Sequence, residues 1–249
     1  IVFTLLGGTL LAVSANVLNQ IFEIETDRLM ERTANRPLVT GEINKKSAYV
    51  YSISLGLVGF LVLYTQTTEL AAFIALSANI FYSFIYTLVL KPRTNQNIVI
   101  GGAAGAAPVL IGWSATGTNL DTGSWLLFLL VFLWTPAHFW ALSIDKLNDY
   151  KDANFPMLPT QESYKRTSIF IGIYSCATVL TSLLLAPILQ LGMVYLLLSL
   201  IFGLYLMYKS YQLYRKQIKA ISYFVFSNTY LAVIFLSMVA DIFITLSSI

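Results

Sequence analysis

Residues 124–144 read SWLLFLLVFLWTPAHFWALSI, and this stretch contains no Asp, Glu, Lys or Arg. A helix needs about 20 consecutive apolar residues to cross the ~30 Å hydrocarbon core of a bilayer. The stretch is long enough to do so, and Asp145 ends it. Because backbone polar groups must be satisfied internally within the hydrocarbon, a helix is the expected form. The sequence therefore predicts a membrane-spanning helix here.

Similar apolar runs recur along the chain. They give eight predicted spans, at residues 1–22, 48–65, 70–90, 97–117, 124–144, 167–187, 189–210 and 221–243. Only 11% of the 249 residues are charged, whereas a soluble domain has roughly 25%. This composition excludes intrinsic disorder and a nucleic-acid-binding surface, and it argues strongly against a soluble enzyme. We predict an all-α fold, a multi-pass transmembrane helix bundle in which residues 1–249 form a single membrane domain.

The basic residues mark one side of this bundle. All 15 Lys and Arg residues lie at the first, third, fifth and seventh connections between spans. The positive-inside rule places these connections in the cytoplasm, as in the inner membrane of a bacterial-type cell. Most of the 12 acidic residues lie on the same side, in two dense clusters. Carboxylates contribute little to topology, so their position suggests chemistry at the cytoplasmic face.

The two acidic clusters have the spacing of a helix face. Asn19, Glu23 and Asp27 are four residues apart, and Asp145 and Asp149 repeat that spacing after the fifth span. If the first helix continues beyond the membrane, its three residues share roughly one face. Like charges at this spacing repel each other, which favours a bound cation. Carboxylate and amide oxygens suit a hard ion such as Mg²⁺.

Basic residues interleaved with these acids suit a phosphate-bearing ligand. Mg²⁺ in proteins is usually held by one or two carboxylates together with substrate phosphates, and Arg and Lys bind phosphate oxygens directly. The pattern predicts a lipid diphosphate whose head lies at the cytoplasmic mouth and whose tail lies among the helices. The alternative is a solvated loop that pairs its own charges, and spacing alone leaves both open.

Four longer motifs are more specific than these spacings. Asn19-xxx-Glu23-xxx-Asp27 is followed by MERTANRPL at residues 30–38. The other three are YTLVLKPRT at 86–94 with NIVIGGAAGAAP at 97–108, WTPAHFWAL at 134–142, and DYKDANFPMLP at 149–159. Across nearly the whole chain, this set resembles the UbiA-type intramembrane prenyltransferases, and more narrowly their heme-farnesylating branch.

The resemblance implies a reaction and a set of site residues. Farnesyl diphosphate would lose diphosphate, the farnesyl group would join a vinyl carbon of heme b (protoheme IX), and water would complete the substituent of heme O. The residues implied to bind Mg²⁺ and support catalysis are Asn19, Glu23, Asp27, Asp145 and Asp149. The residues expected to bind the diphosphate are Arg28, Arg32, Arg36, Lys91, Arg93, Lys146 and Tyr150.

His138, the one histidine, lies within the fifth predicted span. An ionisable group at that depth is a functional candidate. The resemblance implies a heme contact, with iron ligation as one form of it. An interhelical hydrogen bond is the alternative.

The chain departs from the family pattern at two points. The family usually has Asp where Glu23 stands, and Glu keeps the charge while adding one methylene. The family also has nine spans, so the missing span is expected before Ile1. Asp145 is the less secure of the second pair of acids, because heme-branch members do not always carry an acid there.

Other residues within the spans have structural or catalytic interpretations. Asn16, Asn79 and Asn228 are expected to form hydrogen bonds between helices, and Gly101 and Gly105 to allow close helix packing. Aromatic side chains can stabilise an allylic cation, and packing is the alternative use of each. The aromatic candidates are Phe22, Tyr82, Tyr86 and Trp113.

The expected partners are membrane lipid and the assembly factors of a heme A synthase or terminal oxidase, with no nucleic acid. Two other functions stay open from the sequence. One is a UbiA-type transferase with an aromatic quinone precursor as acceptor, and the other is a non-catalytic transporter or structural membrane protein. The residues around His138 and the PMLP of 156–159 favour heme over a quinone precursor.

Overall fold

The described part of the chain is helical, as the composition predicts. The computed structural model describes the backbone of residues 1–247 and the side chains of residues 1–244. In chain order its helices are α1 (Val2–Phe22), α2 (Ile24–Asp27), α3 (Pro37–Thr40), α4 (Lys45–Gln66), α5 (Glu69–Ile80), α6 (Asn97–Ser114), α7 (Thr122–Asp145), α8 (Leu147–Asp152), α9 (Leu158–Gln161), α10 (Tyr164–Ile188), α11 (Met193–Tyr214) and α12 (Ala220–Ser247). Helix α5 continues directly into a π-helix, Phe81–Leu90.

Eight of these helices are long and apolar enough to cross a membrane, counting α5 and the π-helix as one. Each corresponds to one predicted span. The all-α multi-pass bundle is thereby confirmed for the described residues.

The chain divides into two compact units of four long helices each. The first unit comprises Ile1–Leu120 and Leu147–Thr160, and the second comprises Asp121–Lys146 and Gln161–Ile249. In the first unit, α1 packs against α4 and α5, and α5 packs against α6. Its apolar core is rich in alanine, which lets the helices approach closely. The residues of this core are Leu11, Leu63, Ala71, Ala72, Ala75, Ala107 and Ile111.

Short polar side chains also connect the helices of the first unit. Ser52 Oγ donates to the Ser14 carbonyl at 2.9 Å, and Asn79 Nδ2 donates to the Leu11 carbonyl at 2.8 Å. Within hydrocarbon, such bonds satisfy groups that would otherwise lack a partner. The interhelical role expected for Asn79 is confirmed. Asn16 and Asn228 are exposed and have no hydrogen-bond partner among the described side chains, so for them that expectation is wrong.

Helices α1 and α4 are in close contact where Gly7 of α1 faces Gly59 of α4. A Cβ atom on Gly7 would lie 2.6 Å from Leu63 Cγ and 2.9 Å from the Gly59 carbonyl oxygen. A Cβ atom on Gly8 would have no neighbour within 4 Å. Gly7 and Gly8 therefore have different roles, because only at Gly7 does the contact with α4 require a residue without a side chain.

In the second unit, α7 packs against α10 and α12, and α11 lies against both α10 and α12. Tyr230 OH donates to Ser182 Oγ at 2.7 Å, and Tyr195 OH donates to the Ser182 carbonyl at 2.7 Å. The buried carboxylate of Asp241 on α12 accepts from the backbone N–H groups of Gly192 and Tyr195 at the start of α11. Asp241 thereby satisfies donors that a helix N-terminus leaves free.

We expect Gly7→Ala to destabilise the protein and Gly8→Ala to leave it unchanged or slightly more stable. The first adds a methyl group where backbone cannot move away, at a cost of about 1–3 kcal/mol. The second only replaces a helical glycine, a change worth up to about 1 kcal/mol in favour of alanine. Denaturation of the two purified variants in detergent measures the difference. Equal stabilities would contradict the close α1–α4 contact.

Candidate active site

The first motif continues the path of α1 with a single irregular residue. Helix α1 ends at Phe22, yet the N–H of Glu23 donates to the Asn19 carbonyl at 3.0 Å and that of Asp27 donates to the Glu23 carbonyl at 2.7 Å. Asn19, Glu23 and Asp27 are all less than 10% exposed. One amide and two carboxylates are therefore buried at the end of the first span.

Lys91 pairs with Glu23. Its Nζ lies 2.6 Å from Oε1 and 2.7 Å from Oε2, with the two side chains 17% and 8% exposed. The same ammonium group lies 4.7 Å from the ring centroid of Phe155. Lys91 follows directly after the π-helix, whose last bond joins the Lys91 N–H to the Tyr86 carbonyl. The end of the third span thus supplies the counter-charge for the end of the first.

Arg36 pairs with Asp27. Its Nη1 donates to Asp27 Oδ2, and the carboxylate is almost fully buried. The intervening turn is closed by Thr33, whose hydroxyl donates to the Asp27 carbonyl at 2.8 Å. Arg36 then precedes Pro37, the first residue of α3, where proline needs no hydrogen-bond donor. This local geometry turns the chain back so that an arginine nine residues away reaches the acid.

The π-helix orients Asn19. Asn19 Nδ2 donates to Thr87 Oγ1 at 3.2 Å, and Thr87 Oγ1 donates to the carbonyl of Tyr82, five residues earlier, at 2.9 Å. A hydroxyl has one proton, so Thr87 can only accept from the amide. The amide oxygen of Asn19 is therefore left for another partner. π-Helical segments are rare and often occur at functional sites.

Tyr150 attaches the segment containing Asp149 to the first motif. It is buried in a cluster with Met30, Ile98 and Phe155, and the Arg32 guanidinium lies 5.9 Å from its ring centroid. Asp149 precedes it within α8 and is partly buried. Of the two acids of the second cluster, Asp149 therefore belongs to the same unit as Asn19, Glu23 and Asp27. Asp145 ends α7 in the second unit and lies 3.7 Å from Lys146 Nζ.

Two of the basic residues expected to bind diphosphate have other contacts. Arg28 is exposed and pairs with Glu25 at 3.0 Å. Arg93 is exposed and donates to the carbonyls of Leu88 and Val89 at 3.2 and 3.4 Å, at the end of the π-helix. Within residues 1–244, no three Asp, Glu, His or Cys side chains form a group that could hold a metal ion. The five-residue ligand set stays a prediction.

Of the four aromatic candidates, Phe22 contacts Phe84 with ring centroids 5.7 Å apart, and the other three separate into two groups. Tyr82 and Tyr86 stack with centroids 5.3 Å apart, and a Cβ atom on Gly101 would collide with the Tyr86 ring. The packing expected at Gly101 is confirmed, whereas a Cβ atom on Gly105 would meet nothing within 4 Å. Trp113 was wrongly grouped with these rings. It lies at the far end of α6 from Asn97, about 24 Å along the axis, and donates to the Asn119 carbonyl.

His138 on α7 contacts α12 through Ser227. Its Nδ1 lies 2.7 Å from Ser227 Oγ. Rings stack on both faces of the imidazole, with the centroids of Trp134 and Phe224 each 4.1 Å away. The interhelical bond expected as the alternative is therefore present. A role toward heme stays a prediction.

Sequence reasoning missed three side chains that position the site residues: Thr33, Thr87 and Ser227. Hydroxyls are common in apolar spans, so type and spacing gave no signal for these three. The sequence predicts an interhelical hydrogen bond for Asn16, yet the residue is an exposed amide on α1 one turn before Asn19. A polar group that is exposed within a span is costly unless it faces water or a ligand, and that rule applies to Asn16 and Asn228 alike.

The comparisons with known proteins agree with the motifs. Residues 1–239 match the sequence model of the UbiA prenyltransferase family. Proteins named protoheme IX farnesyltransferase from Clavibacter sepedonicus and Thermus thermophilus are each 42% identical to this chain over 95% of its length. The chain spans 79% of the Clavibacter protein and 39% of the Thermus protein.

Solved structures share the fold. The structure of a UbiA homolog from Archaeoglobus fulgidus bound to GPP and Mg²⁺ has a TM-score of 0.66 at 18% identity, over 95% of this chain and 87% of that one. At this identity, the likeness concerns the fold alone. It confirms the helical membrane architecture.

We expect Lys91→Met to destabilise the protein by about 3–5 kcal/mol, because it leaves the buried Glu23 carboxylate without a counter-charge. Adding Glu23→Gln in the same chain should recover much of that loss. Arg28→Met is the matched control, since it breaks an exposed pair worth about 1 kcal/mol or less. Denaturation in detergent measures all four proteins. Equal effects of Lys91→Met and Arg28→Met would show that the Glu23 pair is not a buried one.

Proposed function

This chain belongs to the UbiA prenyltransferase family, and we propose that it transfers the farnesyl group of farnesyl diphosphate to the vinyl group of heme b, with addition of water, to give heme O. The proposed binding of farnesyl diphosphate rests on one observation. Each of the two buried carboxylates of the first motif is paired with a cation, Glu23 with Lys91 and Asp27 with Arg36. The acceptor half is supported by the 42% identity to proteins named protoheme IX farnesyltransferase.

The donor set suits Mg²⁺. Glu23, Asp27 and the amide oxygen of Asn19 are hard oxygen ligands, and Mg²⁺ prefers these. When bound, the ion supplies positive charge that stabilises the departing diphosphate. Asp149, held next to the first motif by Tyr150, is the further ligand that we propose. The Archaeoglobus homolog bound to GPP and Mg²⁺ supports the general use of Mg²⁺ in this family, while the individual ligands are our proposal.

The two ion pairs make binding of metal and diphosphate mutually dependent. Lys91 contacts both oxygens of Glu23, so the carboxylate cannot take a metal without weakening that pair. A released buried cation needs another anion. Diphosphate oxygens meet that need, because Lys and Arg bind phosphate as charge-assisted donors. With a metal bound, Glu23 and Asp27 would hold the ion in place of Lys91 and Arg36, and these two cations would then be available to phosphate oxygens.

The apolar spans suit the carbocation chemistry that follows. Loss of diphosphate leaves an allylic cation, which hydrocarbon surroundings shield from water until the carbon–carbon bond has formed. Tyr82 and Tyr86 stack beside Asn19's partner Thr87, so their rings are the best placed of the four aromatic candidates to stabilise positive charge. Arg32, next to Tyr150, is a further diphosphate contact in this proposal.

His138 is the residue that we propose for the heme. A neutral imidazole is a common axial ligand of heme iron. Its chain neighbours Trp134 and Phe139 both contact its ring, and flat aromatic surroundings suit a porphyrin. We also propose that the active site opens to the cytoplasm. The product would then pass to a heme A synthase or a terminal oxidase.

The reaction is tested with membranes containing the full-length protein. Incubation with heme b, farnesyl diphosphate and Mg²⁺ should give a heme product heavier by one hydroxyfarnesyl unit, detected by mass spectrometry. Prenylation of 4-hydroxybenzoate with no such heme product would overturn the acceptor and favour the quinone-precursor reaction. Turnover of neither acceptor would favour a non-catalytic membrane protein.

Variants of the site accompany this assay. Asp27→Ala and Asp149→Ala should each abolish the product while the protein still inserts into the membrane. Asp152→Ala is a matched control in the same helix as Asp149, and it should retain activity because its carboxylate is exposed. Full activity in both site variants would refute the metal assignment.

We expect diphosphate to tighten Mg²⁺ binding by about 5- to 150-fold, the usual range for coupled sites. Calorimetric titration of Mg²⁺ into the purified protein, with and without a non-hydrolysable farnesyl diphosphate analogue, measures this coupling. Lys91→Met should raise Mg²⁺ affinity in the absence of the analogue, because Glu23 is then free, and should shrink the coupling. Independent binding of the two ligands would contradict the exchange of partners.

A further inference from the structure

His138 is held as a plate between two other rings. The rings of Trp134 and Phe224 lie nearly parallel to it, at interplanar angles of 22° and 23°, and Phe139 meets it edge-on at 5.1 Å. The residue is 5% exposed. With both faces covered, the imidazole can act only through its edge, where its two nitrogens lie.

One of these nitrogens, Nδ1, is hydrogen-bonded to the Ser227 hydroxyl, and that hydroxyl already donates its own proton elsewhere. Ser227 Oγ donates to the Phe224 carbonyl, three residues earlier on α12, at 2.7 Å. At that separation two oxygens need a proton between them. The serine has only one proton, so toward His138 it can only accept. The 2.7 Å contact with Nδ1 therefore requires the proton on Nδ1.

The position of Ser227 is itself fixed from α7. Trp134 Nε1 donates to the Ser227 carbonyl at 2.9 Å, one helical turn before His138 donates to its hydroxyl. Two adjacent side chains of α7 thus bind the two oxygens of one residue of α12. Ser227 is fully buried, so water cannot substitute for its hydroxyl.

We propose that Ser227 is a positioning residue that holds His138 in the neutral tautomer protonated at Nδ1, so that the Nε2 lone pair is available to heme iron. The iron-ligand part rests on the proposed function, whereas the tautomer follows from the hydrogen bonds alone. In neutral histidine, only the unprotonated nitrogen can ligate a metal, and the bond at the other nitrogen decides which one that is. A proton on Nε2 would block ligation even with the ring unmoved.

The single histidine makes the tautomer directly measurable. In full-length protein labelled with ¹⁵N-histidine and purified in detergent, nitrogen NMR separates the protonated from the unprotonated ring nitrogen of His138, with any affinity tag removed. The wild type should show a proton on Nδ1. Ser227→Ala should lose this preference and give a mixture of tautomers, and Ser227→Thr should restore it because the hydroxyl returns.

Ser237→Ala is the matched control. Ser237 lies on the same helix, is buried, and donates to the carbonyl three residues earlier at 2.9 Å, as Ser227 does. It should keep the wild-type tautomer. If Ser227→Ala matched Ser237→Ala, or if the wild type carried its proton on Nε2, the proposal would be overturned. The wild-type spectrum decides the second point even if Ser227→Ala does not fold.

Heme titration separates the two parts of the proposal. Absorption spectra of the same proteins with ferric heme should show histidine ligation in the wild type, about tenfold weaker heme binding in Ser227→Ala, and wild-type binding in Ser227→Thr and Ser237→Ala. Loss of the ligation spectrum in His138→Ala confirms the ligand. An unchanged spectrum in His138→Ala would overturn the heme role while leaving the tautomer result for Ser227 intact.

Discussion

A carboxylate buried at the end of an apolar helix requires a counter-charge, and this requirement shapes the whole first unit. Unpaired, such a group would cost several kcal/mol. Glu23 pairs with Lys91 at the end of the third span, and Asp27 pairs with Arg36 in the loop that follows α2. The first pair joins residues 68 positions apart in the sequence, whereas the second closes a turn of nine residues. They also bring two acids and two cations together at the end of the first span.

A second feature that occurs twice is a hydroxyl whose proton is donated in a hydrogen bond to a carbonyl of its own helix. Thr87 donates to Tyr82 and accepts from Asn19, and Ser227 donates to Phe224 and accepts from His138. In a span, a Ser or Thr hydroxyl can donate to a backbone carbonyl about one turn back along its own helix. Such a hydroxyl becomes a pure acceptor, so it fixes which atom of the facing amide or imidazole is turned away. The two residues thus orient a functional group from an adjacent helix.

The sequence predicts the spans well and the pairing of charges poorly, for a physical reason. Hydropathy is a sum over about 20 residues, so a few exceptions do not change the result, and all eight spans agree with the helices. An ion pair depends on one side chain reaching one atom. Arg28, Arg32 and Arg36 look equivalent in the sequence, yet only the last follows the turn closed by Thr33 and reaches Asp27.

The π-helix of Phe81–Leu90 is similarly invisible to hydropathy, because the hydropathy sum over a span is the same whichever type of helix its residues form. Trp113 is a different kind of error. It follows Asn97 on one helix, and the helical rise alone separates the two by about 24 Å. Axial position along a span, unlike hydrogen bonding, is available from the sequence once the spans are known.

Glu23, where the family usually has Asp, fits the geometry of its position. The residue lies at the single irregular point between α1 and α2, where the backbone leaves helical dihedrals at φ −102° and ψ 11°. The extra methylene lets the carboxylate extend to Lys91 and present both oxygens to it. An aspartate on the same backbone would hold its oxygens closer to the chain and farther from the ammonium group. The longer side chain therefore favours the ion pair, and a metal bound at Glu23 in the proposed site would have to compete with Lys91 for the carboxylate.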